Sequence, residues 1–273
     1  MVNAREVADR SRAAAATADR AGAARLDGIA IKPTEVDVAA ADALPYTTLT
    51  IDYEGHAHVP DATTLERLAT NRTVRVTVPV RADGYDPVGD DGALDELPDA
   101  VAPVFVAGNP AYLEDHERRR AVAPRLGRAV DRASDAWVGT EGVERLALAT
   151  GATQFELLSR STERAVARLR AAGFGGEVAL YAPTVLTDDE DEILDAIGAY
   201  VARRKPVAQA LPEGAATDSG ATGRARSILL DAATDYALVG DEEAVGEAVT
   251  RYRENGVDTI VGYPARGLEA FVG

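Results

Sequence analysis

Cysteine is absent from the 273 residues. That excludes disulfides, thiolate metal ligands and cysteine nucleophiles. Lysine is nearly absent: only Lys32 and Lys205 occur, and the rest of the 29 basic residues are arginine. The 3 histidines, His56, His58 and His116, cannot build a histidine-rich centre, and no metal is expected. No apolar run reaches the roughly eighteen residues a membrane span needs. The N-terminal stretch is rich in Ala and Arg but carries acids throughout and lacks the apolar core of a secretory signal. Residues 1–25 read as an arm or helix, and the expected location is cytoplasmic. No P-loop, G-x-S-x-G or Ser-His-Asp spacing appears.

Acid is what the chain has in excess. Its net charge is −16. Acid-rich, lysine-poor composition resembles that of proteins from salt-loving archaea, where surface carboxylates keep a chain hydrated. Such a surface repels phosphate backbones and anionic lipid, so neither nucleic acid nor membrane is an expected partner.

Asp235 to Arg266 organises the reading. Asp241, Glu242 and Glu243 crowd a helix start, where carboxylates suit the positive end of the dipole. Ala244, Val245, Ala248, Val249 and Tyr252 follow at helical spacing. Gly256 stops the helix. Val257 to Val261 is then an apolar run typical of a strand buried on both faces. Helix, glycine, strand is one unit of a parallel sheet.

The same alternation runs along the chain. Strands are expected at Leu26–Pro33, Thr47–Asp52, Thr73–Val80, Val101–Ala107, Ala136–Thr140, Gln154–Leu158, Glu177–Tyr181 and Val257–Val261. Helices are expected at Thr34–Leu44, Asp61–Asn71, Ala93–Leu97, Tyr112–Ser134 (kinked or split at Pro124), Glu141–Thr150, Ser161–Gly173, Asp188–Lys205 and Arg224–Asp231. Pro206 to Gly223 reads as a loop, and Val239-Gly240 as a break before the last helix. No hairpin turn interrupts the pattern. Eight alternating units in one domain, residues 26–273, point to an α/β fold, a (β/α)8 TIM barrel. The runner-up, an open doubly wound sheet, lacks its G-x-G-x-x-G signature at Lys32-Pro33-Thr34.

In such a barrel the working residues lie at the strand C-termini. Those ends carry Lys32; Asp52, Tyr53, Glu54 and His56; Arg81; Asn109; Thr140 and Glu141; Ser159 and Arg160; Tyr181 and Thr184; Tyr263 and Arg266. Lys32, Arg81, Arg160 and Arg266 together would suit a small anionic ligand. Lys32 is either a Schiff-base or phosphate lysine or the partner of Asp52 or Glu54. Arg81 and Arg160 could equally close ion pairs at the rim. Asn109 could simply start a turn. Gly240 could expose amides to a phosphate, although the following acids oppose it. Lys32, Asp52 and Glu141 are the candidate catalytic residues.

Three stretches resemble the bacterial luciferase-like superfamily of flavin- and deazaflavin-dependent barrels. They are Val239 to Val245 continuing through Gly256-Val257-Asp258, Asp61 to Leu65 with Val74 to Val80, and Thr48 to Glu54. The sequence departs from the family where an acid-His pair is expected, here Asp52-Tyr53, and where a glycine-rich stretch is replaced by Ala107-Gly108-Asn109-Pro110. The resemblance implies a luciferase-like oxidoreductase binding the deazaflavin coenzyme F-420 or FMN. It would exchange a hydride with a small substrate such as a methylene-pterin. The implied cofactor contacts are Asp52, Arg81, Asn109, Ser159, Arg160 and Gly240. Two other readings stay open: a cofactor-free lyase or aldolase using Lys32, and a catalytically degenerate barrel kept as a binding subunit. A homodimer is left open as the assembly.

Overall fold

A computed structural model describes residues 24–90, 92–109, 112–139 and 149–272. The expected arm (up to residue 23), Thr140, Glu141 and most of the Glu141–Thr150 helix lie outside the described residues.

Nine parallel strands form the sheet: β1 Gly28–Ile31, β2 Thr48–Ile51, β3 Thr73–Pro79, β4 Val101–Val106, β5 Trp137–Gly139, β6 Thr153–Leu157, β7 Val178–Leu186, β8 Leu238–Gly240 and β9 Thr259–Pro264. Their order is β6-β5-β4-β3-β2-β1-β9-β7-β8, and a further β6–β7 pairing closes the ring. Eight strands therefore make a closed (β/α)8 barrel. These are the eight apolar segments picked out in the sequence.

β8 was not anticipated. β7 runs past the others, pairs with β6 from Val178 to Tyr181, and pairs with β8 from Thr184 to Leu186. The Val239-Gly240 break is thus a short strand added above β6. Gly240 ends it at φ 132°, a conformation open mainly to glycine.

Alternation sorts the side chains. Ile29, Ile31, Leu49, Ile51, Val74, Val76, Leu180 and Ile260 face outward and pack with Leu65, Leu68, Val166, Val245 and Val249 of the covering helices. Ala30, Val104, Trp137, Ala179 and Val261 fill the lumen with Phe155, Tyr181 and Tyr263. Asp27 clips the ring at its base: it accepts the Ile260 amide at 2.7 Å and Arg253 at 2.6 Å. Asp258 does the same between Arg170 at 2.6 Å and the Val178 amide at 2.8 Å.

The helices follow their capping residues. Asp61 caps Ala62–Ala69, Asp189 caps Glu190–Ala202 and Asp241 caps Glu242–Glu254. Asp37, rather than Thr34, caps the short 3-10 turn Val38–Ala43. The long Tyr112–Ser134 helix is split into Asp115–Arg118 and Val122–Arg132. Pro124 falls in the first turn of the second piece, where no amide partner is lost. Lys205–Ala210 is a helix where a loop was expected, because Pro206 opens a helix as readily as it ends one. Gly223–Tyr236 is longer than the Arg224–Asp231 segment expected.

Candidate active site at the barrel mouth

Asp52 follows β2 at the mouth. Its inward direction is set by parity with Thr50, since Leu49 and Ile51 face the helices. The Tyr181 hydroxyl, inward on β7, donates to Asp52 Oδ2 at 2.7 Å across the ring. Burial pushes the Asp52 carboxyl up to about 6; the Tyr181 bond and the Lys32 charge oppose that rise, while Glu54 and Glu35 add to it. Burial, then the neighbouring Asp52 charge, raises the Tyr181 hydroxyl well above its usual value.

Lys32 pairs with neither Asp52 nor Glu54. Its Nζ lies 3.2 Å from Glu35 Oε1 and 4.1 Å above the Tyr263 ring. Glu35 also accepts the Tyr263 hydroxyl. Glu54 is held by the Thr34 amide at 2.9 Å and by the Thr34 hydroxyl. Tyr181 and Tyr263 lie nearly parallel, centroids 6.3 Å apart, and Phe155 and Trp137 continue the aromatic wall downward. Tyr112 adds a half-exposed ring whose hydroxyl is raised by burial and by Glu54, Asp52 and Glu35.

The four cations do not gather into one cluster. Arg81 directs three N–H groups at the carbonyls of Ala107, Arg118 and Gly108, at 2.6, 2.9 and 3.0 Å. Arg266 pairs with Glu192 at 2.9 Å. Arg160 is exposed and lines a shallow depression with Glu163 and Arg164. Asn109 is exposed, and its carbonyl accepts the Tyr112 amide at 3.0 Å, which starts a turn. At Gly240 the helix start is already filled: Asp241 accepts the Ala244 amide at 2.9 Å.

Ser159 follows Leu158, whose amide donates to the Tyr181 carbonyl at 2.8 Å, so Ser159 stands at the rim just above Tyr181. Its hydroxyl lies 3.0 Å from the Ser161 hydroxyl, and its amide donates to Thr162 Oγ1 at 2.9 Å. The helix Thr162–Ala171 begins there, and no side chain caps its first turn. Carboxylates line the mouth beside β1 and β2; Arg160 lies on the β6 side, where it also borders Glu163, Thr234, Asp235, Arg251 and Tyr252 of the outer helices.

Asp83, His116 and Glu117 hold ligand-type atoms within 4.8 Å of one another. Both Glu117 oxygens already accept amides, from Asp83 at 2.7 Å and Glu114 at 2.6 Å, and Asp83 pairs with Arg120. That cluster is a loop brace.

Glu35, Tyr181 and Tyr263 are the residues to which sequence reasoning gave no role. The two tyrosines stood among the strand ends, and their parity with Ala179 and Val261 was the available signal. Glu35 sits in a loop, and nothing local marks its turn back toward Tyr263.

A family model described as a family of unknown function, DUF7388, matches residues 21–271. The chain belongs to that family. No curated protein matches the chain. Among solved structures the chain is similar to an F420-dependent secondary alcohol dehydrogenase in complex with an F420-acetone adduct. The TM-score is 0.62 at 10% identity, over 90% of this chain and 96% of that one. At that identity the likeness shows the fold alone, a (β/α)8 barrel.

The donor set can be tested against a deazaflavin. A flat ring needs an apolar or aromatic wall, which Tyr181 and Tyr263 provide. An anionic tail needs cations, and Arg160 and Arg164 on the β6 side are exposed. The Tyr181–Tyr263 wall fits the ring, and Arg160 and Arg164 carry charge of the sign a tail would need.

Proposed function

We propose that this DUF7388 chain is a luciferase-like oxidoreductase exchanging a hydride between a deazaflavin and a small carbonyl or alcohol. The observation that carries the reading is the Asp52–Tyr181 pair, a carboxyl poised near pH 6 and bonded at 2.7 Å to a hydroxyl facing the mouth. Alcohol oxidation releases a hydride from carbon and a proton from oxygen. The deazaflavin, when bound, supplies the hydride acceptor. The protein's own part is the proton. A substrate hydroxyl bonded to Tyr181 passes its proton to the Tyr181 oxygen as the Tyr181 proton moves to Asp52 Oδ2. Carbonyl reduction runs the same relay backward. Lys32 and Glu35 hold Tyr263, and with it the aromatic wall. Ser159, Arg160 and Arg164 would hold the anionic tail. FMN offers the same flat ring and a shorter anion.

The lyase reading finds less support, since the Lys32 ammonium is held by Glu35 and the Tyr263 ring. The test is titration of the full chain in molar salt with coenzyme F-420 and, separately, FMN, read by cofactor fluorescence. Saturable deazaflavin binding is expected. In Asp52→Asn, binding should persist within a few-fold while alcohol turnover falls at least about 100-fold. Binding of neither cofactor, or full turnover in Asp52→Asn, overturns the reading.

A further inference from the structure

β2 ends at Ile51, and Asp52 is the first residue beyond it. Toward β1 the ladder runs one step further: the Asp52 amide donates to the Ile31 carbonyl at 2.9 Å. Toward β3 a side chain takes over. The register of β2 with β3, Thr48 with Thr73 through Ile51 with Val76, sets Asp52 opposite Thr77 when carried one residue on. The next amide, that of Tyr53, donates to the Thr77 hydroxyl at 2.6 Å. The Tyr53 ring is held too, edge-on to Tyr85 with centroids 5.3 Å apart. Both peptides flanking Asp52 are therefore anchored.

Thr77 is buried and faces the lumen, because its partner on β4 is Val104 of the lumen cluster. Valine has the same branched shape and would fill that place as well. What valine lacks is an acceptor. Without one, the Tyr53 amide would be a part-buried donor with no partner, and the chain would be free to swing away after Ile51. The Asp52 carboxyl meets the Tyr181 hydroxyl across the ring at 2.7 Å. A proton passes between two such groups only while they stay within hydrogen-bond reach.

We propose that Thr77 is a positioning residue: its hydroxyl fixes the peptide between Asp52 and Tyr53 so that the Asp52 carboxyl stays bonded to Tyr181. Thr77 acts through Asp52 and has no part in the proton transfer itself. Its value to catalysis rests on the relay proposed above. The positioning does not, and it is measured on the protein with nothing bound.

The full chain, carbon-13 labelled at its aspartate carboxyls, is titrated with acid in molar salt without cofactor. The Asp52 signal is assigned by its loss in Asp52→Asn. Tyr181→Phe removes a bond that favours the charged carboxyl, so it should raise the Asp52 midpoint by about 1 on the pH scale. In the Thr77→Val background the same change should move the midpoint by about 0.3 or less, because the pair is already apart. Thr77→Ser keeps the hydroxyl and should restore the full shift. Lys32, Glu35 and Glu54 also act on Asp52, and every protein compared retains them. If Thr77→Val does not fold by circular dichroism, amide exchange in the wild type decides: the Tyr53 N–H should exchange at least about 100-fold more slowly than an open-chain amide. A Tyr181→Phe shift undiminished in Thr77→Val, a Thr77→Ser that behaves like Thr77→Val, or a Tyr53 amide exchanging at the open-chain rate would each overturn the proposal. Failure of both cofactors to bind would overturn the oxidoreductase reading instead and leave these measurements standing.

Discussion

Asp52 is pulled both ways. Burial favours its neutral form, while the Tyr181 bond and Lys32 favour its charge. Burial wins, and the carboxyl rises from 3.8 to about 6. The consequence for stability has a definite sign. The folded protein holds the proton more tightly than the unfolded chain, so Asp52 contributes most below about pH 4, and that contribution is lost as pH rises through 6. The loss is on the order of 2–3 kcal/mol. Asp52→Asn, which keeps an acceptor for Tyr181 and cannot ionise, should therefore melt above the wild type at pH 8 and level with it at pH 4. Thermal melts at the two pH values check this. If Asp52 serves as the proton acceptor, alcohol oxidation should also rise with pH through about 6 in the wild type. Asp52 and Lys32 were legible in the sequence because strand ends mark the mouth. The partners were not, since Tyr181 lies 129 residues from Asp52 and the Glu35 contact with Tyr263 spans 228.

Among the elements, the eight ring strands were legible because each is a short β-branched or apolar run bounded by turn residues. β8 was not. Three residues ending in glycine carry no strand signal of their own, and Leu238–Gly240 is a strand only because β7 overshoots the ring to meet it. Helix Glu190–Ala202 shows how closely the outer layer is fitted. A methyl added at Gly198 would overlap the Thr217 carbonyl oxygen, a backbone atom. Gly198→Ala should cost about 3 kcal/mol, seen as a lower denaturation midpoint. The strain should fall between this helix and the loop at Thr217, next to the cluster in which Leu194 and Val201 meet Leu229, Ala232 and Tyr236. Removing the Asp241 cap is milder: Asp241→Ala should lower stability by about 1 kcal/mol in the same assay.

At the scale of the molecule, a net charge of −16 makes self-repulsion a standing cost of compactness. Salt screens it, with a Debye length near 3 Å at about 1 M. Melting temperature should climb between 0.1 and about 2 M potassium gluconate; a flat or falling curve would show that carboxylate repulsion is not what limits the fold. Total charge was plain in the sequence. How the arginines use their charge was not, because Arg81 turns to carbonyls and Arg266 to Glu192.

Ring closure has a consequence for crowding. A sheet joined to itself offers neighbouring molecules no row of idle amides to copy. Among the described residues, what stays open is the outer side of Leu238–Gly240, too brief a template to recruit another chain. Such a ring gives neighbouring molecules little backbone to pair with, even where salt screens their mutual repulsion.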